Sequence, residues 1–170
     1  PKPQNPFNLN QILKLFIKVH CSLFTAALKE LEDSGYVRLQ QDDFDAIVST
    51  SGPRPAHQPG HAHCDALAFE LSVAGERLVT DTGVFEYQAG PRRQLARSTS
   101  SHATLVFDGE EQSELWSAHR VGGRAKCEVA RAEASGDVWV STQGWVRDAP
   151  LHERCFKKLK ALRLFFRLTL

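Results

Sequence analysis

The chain has 170 residues, a formal net charge of +1 and 42% apolar residues. This length suits one domain with a hydrophobic core, the apolar content argues against general disorder, and the near-zero charge gives no indication of nucleic-acid binding. Its four cysteines are widely spaced and include no CxxC pair. That spacing argues against a zinc ribbon or a thioredoxin-type site, and it leaves two disulfides and unpaired buried thiols equally open.

The N-terminal part of the chain carries a helical pattern. Residues 1–8 are rich in Pro and Asn, and from residue 9 to residue 31 apolar residues recur at spacings of three and four. This period predicts an amphipathic helix, which Gly35 can end. Lys14 and Lys18 interrupt the apolar run, so no membrane span is predicted. The chain begins with Pro, contains no Met and shows no signal peptide, which fits a processed chain or an internal fragment.

After Gly35 the apolar period shortens to two, which is typical of strands. Turn signals at 41–43, 74–76, 108–110 and 135–137 separate short apolar runs. Many short strands joined by turns predict a mainly β fold, an antiparallel β-sandwich of two sheets with one N-terminal α-helix. The strand candidates are residues 36–40, 46–49, 66–74, 77–80, 103–108, 120–130 and 138–146.

Three further segments complete the organisation of the chain. Residues 51–60 contain three prolines and two glycines and are predicted to form a loop, and residues 82–101 are predicted to form a longer, functional loop. Residues 155–170 alternate basic and bulky apolar residues, which fits a last strand or a basic amphipathic surface segment. The predicted organisation is an N-terminal helix or remnant of a preceding domain (1–34), a β-sandwich domain (35–154) and an atypical tail or last strand (155–170).

A cluster of possible metal ligands is the most concentrated chemical signal in the chain. His61 and His63 are one residue apart, so an extended backbone projects both from the same face. Asp81 and His102 lie in later strand-like runs and can join them from neighbouring strands. Imidazole nitrogens and a carboxylate that converge within about 2 Å of one point form a zinc site. His63, Asp81 and His102 are therefore candidate ligands of a structural or catalytic Zn²⁺.

His61 need not bind the metal. An imidazole titrates near neutral pH, so His61 can act as a base, an acid or a charge neutraliser beside the metal, and it is the candidate catalytic residue. Asp65 can orient one of the imidazoles. The same residues also have simpler interpretations, because Asp81 can belong to a turn at a strand end and His102 can be a surface histidine.

The long loop supplies the candidate substrate-binding residues. Arg92, Arg93 and Arg97 form a basic cluster, which is either a solvated loop surface or an anion-binding site for carboxylate or sulfate groups. Tyr87 carries a phenol that can donate or accept a proton, although tyrosines also pack at the base of loops. These four residues are interpreted as contacts for an acidic substrate.

Three stretches follow one another in a fixed order as QPGHAHCDALAFELSVAGERLVTDTGVFEY, RSTSSHATLVFDGEEQSELW and HRVGGRA. They resemble the C-terminal β-sandwich domain of the heparinase II/III-like family, which related alginate and oligoalginate lyases share. The similarity covers about residues 33–146. The resemblance implies a sandwich that works with an N-terminal α/α toroid, with the active site in the cleft between them. It also implies cleavage of uronic-acid-containing polysaccharide by β-elimination.

By resemblance, His63, Asp81 and His102 bind zinc, and His61 faces the substrate cleft. The family also implies an acidic polysaccharide and a toroid domain as partners, and the periplasm or cell envelope of a bacterium as the location. Two positions depart from the family pattern, because Ala103 stands where Asn is common and Cys64 stands where a small residue is usual. The single predicted helix is far too little for a toroid, in which the principal catalytic tyrosine lies.

The leading prediction is therefore a polysaccharide lyase-family domain, as a fragment lacking the catalytic toroid. Whether this chain alone is an active enzyme stays open. The alternative is a non-catalytic module that binds acidic carbohydrate or holds a structural metal. A metal-dependent hydrolase of the cupin kind ranks last, because the chain lacks additional Glu and His ligands at cupin-like spacing.

Overall fold

The computed structural model describes residues 27–31, 34–132, 137–146, 148–157 and 163–169. Three antiparallel sheets account for most of the regular structure in these ranges, so the prediction of a mainly β fold is confirmed. Within the described part of the chain, no helix is long and apolar enough to cross a bilayer.

The first sheet is a five-stranded meander in which each strand pairs with its neighbour in sequence. The alternating pattern of the third strand explains its orientation, because Phe44, Ala46 and Val48 are buried while Ile47 between them is exposed. Tight turns at Asp42 and Ala74, both with positive φ, connect successive strands. The strands are β1 (Ala27–Leu31), β2 (Tyr36–Gln41), β3 (Phe44–Ser49), β4 (Phe69–Val73) and β5 (Glu76–Val79).

A long excursion of the chain, residues 80–125, connects the two larger sheets and carries most of the candidate site. Its regular elements are a short helix α1 (Pro91–Arg97), a 3₁₀ turn (Thr99–Ser101) and a two-stranded hairpin of β6 (Leu115–Trp116) and β7 (Arg120–Val121). Another 3₁₀ turn (Pro59–His61) lies between β3 and β4. The second large sheet has the order β11-β10-β9-β8. Its strands are β8 (Lys126–Ala132), β9 (Asp137–Gln143), β10 (Leu151–Lys157) and β11 (Arg163–Thr169).

The two large sheets meet through a small apolar core. Val48 of β3, Leu67 and Val140 of β9 form one buried cluster, against which Leu39 and Phe69 pack. Burying such side chains removes apolar surface from water, at about 25 cal/mol per Å². Side chains from both large sheets therefore share one core, as the predicted sandwich requires.

A buried arginine ties the second sheet to the loops that carry the candidate ligands. Arg154 of β10 donates through Nη1 to the carbonyls of Leu67 at 2.6 Å and Ala103 at 2.8 Å. Its Nε donates to Nε2 of His152 at 3.3 Å. A buried guanidinium is tolerated when its donors are satisfied in this way. Arg154 thereby holds the backbone at Leu67, shortly after His63, and at Ala103, next to His102.

Several sequence predictions are corrected at the chain's first and last elements. Residues 27–31 form β1 rather than the end of a helix, because they pair in register with β2. The remainder of the predicted helix, residues 9–26, lies outside the described residues. In the tail, residues 155–157 belong to β10 and residues 163–169 form β11, which pairs with β10. The last-strand interpretation of the tail therefore holds over these described residues.

Corrections also apply inside the long excursion. Residues 103–108 do not form a strand, because Thr104 turns toward the carbonyl of Ala66, to which its hydroxyl donates at 2.7 Å. The predicted loop 82–101 contains α1, which Pro91 starts. The predicted strand 120–130 is interrupted around Gly122 and Gly123, so that it divides into β7 and the first part of β8.

Candidate active-site cleft

One cleft brings together the four residues that the sequence singled out for metal and acid–base chemistry. His61, His63, Asp81 and His102 all line this cleft, which has a volume of about 320 Å³. His61 ends the 3₁₀ turn before β4 and His63 follows it, Asp81 lies just after β5, and His102 directly follows the 3₁₀ turn Thr99–Ser101. Residues far apart in sequence therefore share one concave surface, which is where small ligands and substrates bind.

The segment that carries His61 and His63 is held by α1. The backbone N–H of Cys64 donates to the carbonyl of Arg97 at 2.9 Å. In return, the guanidinium of Arg97 donates through Nε to the carbonyl of Ala62 at 3.1 Å. Burial lowers the pKa of His63 to about 4, and the charges of His102 and Arg93 add to the effect. The ring of His63 is therefore neutral near pH 7, as a metal ligand must be.

Asp81 and His102 form a close pair on the opposite side of the cleft. Nδ1 of His102 lies 2.5 Å from Oδ2 of Asp81, whose Oδ1 accepts the N–H of Gly83 at 2.7 Å. Burial raises the pKa of Asp81, but the hydrogen bonds from His102 and Gly83 outweigh it and leave this pKa below its usual value. With the proton of His102 on Nδ1, its Nε2 carries a lone pair, and that buried atom has no hydrogen-bond partner among the described residues.

The donor set fits zinc in type and partly in geometry. The ring centroids of His63 and His102 are 5.3 Å apart. Two imidazoles on one tetrahedral zinc have centroids roughly 5 Å apart, given Zn–N bonds of about 2 Å. Asp81, however, contacts Nδ1 of His102, and Nε2 of His63 lies 3.4 Å from Nη1 of Arg93. Over the described ranges, no three His, Cys, Asp or Glu side chains converge closely enough to hold an ion. Binding would require Asp81 either to rotate toward the ion or to remain behind His102 as an orienting carboxylate.

His61 lies at the exposed mouth of the cleft among aromatic rings. Its ring is edge-on to Tyr87, with centroids 5.4 Å apart, and 6.0 Å from the ring of His119. Tyr87 is 54% exposed, so its phenol and the His61 imidazole are both open to a ligand. The predicted catalytic residue and one predicted substrate contact are thus neighbours. His119, which the sequence analysis did not include in the site, is the residue that completes this group.

The three candidate arginines do not form one surface. Arg93 and Arg97 are both 0% exposed, whereas Arg92 is exposed and stacks on Phe85 at 5.0 Å. Arg93 donates to backbone carbonyls of Gly60 at 3.3 Å and Ala118 at 3.1 Å. In this structure, Arg93 and Arg97 build the wall behind the cleft, and Arg92 is the member of the cluster that faces solvent.

The thiol of Cys64, next to His63, is not suited to bind a metal. Burial raises the pKa of Cys64 to about 12, and its Sγ donates to the carbonyl of Ser113 at 3.4 Å. A protonated thiol is not a metal ligand, since the thiolate is the form that binds. Among the described cysteines, Cys64 and Cys127 are free thiols.

Tyr36 is a cleft residue that the sequence analysis gave little weight. It lies at the start of β2 and lines the cleft together with Asp65 and Asp81. Burial raises the pKa of Tyr36, and the nearby carboxylates of Asp65, Asp81 and Glu70 raise it further. Its phenol therefore stays protonated and can donate a hydrogen bond into the cleft. No pattern in the sequence connects Tyr36 to these acids, because the contact depends on strand pairing.

Comparison with known proteins identifies the family. The model of the family described as "Heparinase II/III-like, C-terminal" matches residues 25–165. Searches of curated proteins and of solved structures found no match. The matched range includes every candidate ligand and the strands of both large sheets up to the first residues of β11, and the family supports a link to polysaccharide lyases. The resemblance noted in the sequence is thereby confirmed, and the chain belongs to the heparinase II/III-like C-terminal domain family.

Proposed function

We propose that this chain forms one wall of the active site of a lyase that cleaves uronic-acid-containing polysaccharide by β-elimination. The observation that carries the proposal is the position of His61. It is exposed and adjacent to Tyr87, at the mouth of the cleft whose deeper part holds His63 and His102. An exposed imidazole beside a phenol is suited to moving protons on a bound sugar.

The elimination requires three tasks at the sugar. A base removes the proton at C5, a positive or hydrogen-bonding group neutralises the carboxylate, and an acid protonates the leaving oxygen at C4. His61 can accept or donate a proton or neutralise the carboxylate, and Tyr87 can donate a hydrogen bond beside it. Arg92 is exposed at the same loop and can attract the acidic chain. In the proposal, an α/α toroid domain supplies the facing wall with the remaining proton-transfer groups.

We further propose that His63, Asp81 and His102 hold a Zn²⁺ ion. The buried, unpartnered Nε2 of His102 and the spacing of its ring from His63 support this assignment. When bound, zinc would supply a fixed positive centre that cross-links the two loops. On family grounds, we propose that the protein works in the periplasm or cell envelope of a bacterium.

Metal analysis of the purified chain tests the zinc assignment. We expect about one zinc per chain, its loss in His63→Ala, and its retention in His61→Ala and in His57→Ala, a matched change at an exposed histidine. Equal zinc loss in His61→Ala and His63→Ala would contradict separate roles for the two residues. An absence of zinc from the wild-type chain after reconstitution with Zn²⁺ would overturn the ligand assignment.

The lyase assignment has its own readout. Incubation of the chain, together with its toroid domain, with acidic polysaccharides should raise ultraviolet absorbance as unsaturated uronate forms, and His61→Ala should slow that rise strongly. Failure of every uronate-containing polymer to give the chromophore would reject the lyase proposal. A second function then applies, a non-catalytic module for acidic carbohydrate. The exposed arginine–aromatic pair of Arg92 and Phe85 favours it, and retention on an acidic polysaccharide column without cleavage would identify it.

A further inference from the structure

A second cavity adjoins the cleft and shares His61 with it. Its volume is about 440 Å³, and its wall includes Trp116, His119, Arg120 and Arg124. None of its lining residues is Asp or Glu. A concave surface with two arginines and no carboxylate attracts anions.

The β6–β7 hairpin presents an aromatic face and a cation together. Trp116 and Arg120 are directly paired across the two strands, and the guanidinium carbon of Arg120 lies 5.2 Å from the indole centroid. Trp116 nevertheless remains 50% exposed. A planar ring and an adjacent guanidinium form the combination that binds an acidic sugar, because the apolar face of the sugar stacks on the indole while its acidic group meets the arginine.

Buried hydrogen bonds hold this hairpin in place. Arg97 donates through Nη1 to the carbonyl of Ser117 at 3.0 Å and through Nη2 to the carbonyl of Arg120 at 3.3 Å. Arg93 donates to the carbonyl of Ala118 at 3.1 Å. The turn between β6 and β7 is thus anchored to α1 by two fully buried side chains. An ordered surface loses little conformational entropy on binding, so it binds more tightly than a mobile one.

His119 lies between two backbone carbonyls at the wall of the cavity. Its Nδ1 lies 3.2 Å from the carbonyl of Gly60 and its Nε2 lies 3.0 Å from the carbonyl of Tyr87. Carbonyl oxygens only accept hydrogen bonds, so both contacts are hydrogen bonds only when the ring carries two protons. Arg124 also donates to a backbone carbonyl, that of Ala56 at 2.7 Å, which holds its guanidinium at the rim.

We propose that the second cavity is a subsite for an anionic sugar unit, which stacks on Trp116 and pairs its carboxylate or sulfate with Arg120 and Arg124. This inference rests on the proposed function and extends it to a particular surface. Because His61 borders both cavities, one polysaccharide chain can pass from the cleft into the subsite. The subsite recognises a sugar that is not being cleaved, so its residues contribute to affinity and not to proton transfer.

Binding of defined polymers to the full chain tests the subsite. The probes are polymannuronate and heparin oligosaccharides, with dextran as the neutral control, and affinity is measured by calorimetry. We expect Arg120→Gln and Trp116→Ala each to weaken binding of an acidic probe roughly tenfold, because each removes one charge-assisted or stacking contact. Trp116→Phe should retain most of the affinity. Arg77→Gln removes an exposed arginine elsewhere, on β5, and should leave affinity unchanged.

The outcomes separate the subsite from the proposed function. Unchanged affinity in Arg120→Gln and Trp116→Ala, with unchanged zinc content and unfolding midpoint, would overturn the subsite even where the wild-type chain supports cleavage. Reduced affinity in both variants, without any unsaturated product from the wild-type chain together with its toroid domain, would support the subsite and reject the lyase. Equal wild-type affinity for dextran or for single-stranded DNA would overturn recognition of an acidic sugar, as would failure to bind either acidic probe.

Discussion

His152 is predicted to make the stability of the chain fall in mild acid. This residue of β10 is 5% exposed, and its Nε2 accepts a hydrogen bond from Nε of Arg154 at 3.3 Å. Burial lowers the pKa of His152 to about 4 from 6.5, and the positive charge of Arg154 lowers it further. A proton on His152 would remove the acceptor and place two cations side by side, so the folded state keeps this ring neutral.

The sign and the size of the effect follow from the two pKa values. The unfolded chain protonates His152 near pH 6.5, whereas the folded chain protonates it only near pH 4. Between these values the unfolded state binds more protons, so stability is fully present above pH 6.5 and falls as the pH decreases. The full loss is about 3 kcal/mol below pH 4, and about 2 kcal/mol is already lost at pH 5.

Urea unfolding followed by tryptophan fluorescence at pH 8, 7, 6 and 5 measures this slope. The variant His152→Gln retains an acceptor for Arg154 and cannot titrate. Between pH 8 and pH 5, its free energy of unfolding should therefore fall by about 2 kcal/mol less than that of the wild type. His57→Gln, at an exposed histidine, is the matched control and should keep the wild-type slope. Parallel pH profiles for the wild type and His152→Gln would refute the reasoning.

Two further predictions concern packing. In Gly52→Ala the new Cβ would clash with the backbone oxygen of Ala125, so unfolding in urea should show a loss of stability of about 2–3 kcal/mol. Gly90→Ala is the matched control, because its nearest contact lies at 3.8 Å, and it should change stability little. Val140→Ala should cost about 2 kcal/mol in the same assay, because Val140 is 1% exposed where the two sheets meet; a loss below 0.5 kcal/mol would contradict its place in that core.

Most of the fold prediction rested on the alternation of apolar and polar residues in the strands. In β3 the inward side chains are apolar at every second position, so the period of two reports the buried face directly. The prediction failed where local pattern and tertiary pairing differ. Residues 27–31 have a helical apolar spacing, yet they complete the edge of the first sheet next to β2. Pairing with a neighbouring strand supplies hydrogen bonds that no local period reveals.

The candidate site was predictable in composition but only partly in geometry. The HxH spacing placed His61 and His63 on one segment, and Asp81 and His102 lie in the same cleft. The sequence did not indicate that His102 and Asp81 would pair, nor that His119 would lie beside His61. Both contacts join segments that are distant in the chain, and their formation depends on how α1 and the β6–β7 hairpin pack.

The buried side chains of Arg93 and Arg97, both on α1, form hydrogen bonds to the backbone segments that line the two cavities. Arg97 donates to the carbonyl of Ala62, between the two histidines of the HxH segment, and also to two carbonyls of the β6–β7 hairpin. Arg93 lies between the turn at Gly60 and the hairpin. Five-donor guanidinium groups can satisfy several carbonyls at once, whereas a lysine presents a single point charge. Two of the three arginines that the sequence suggested as a ligand surface, Arg93 and Arg97, therefore support the two cavities from behind, whereas Arg92 of α1 and Arg120 of the hairpin are exposed.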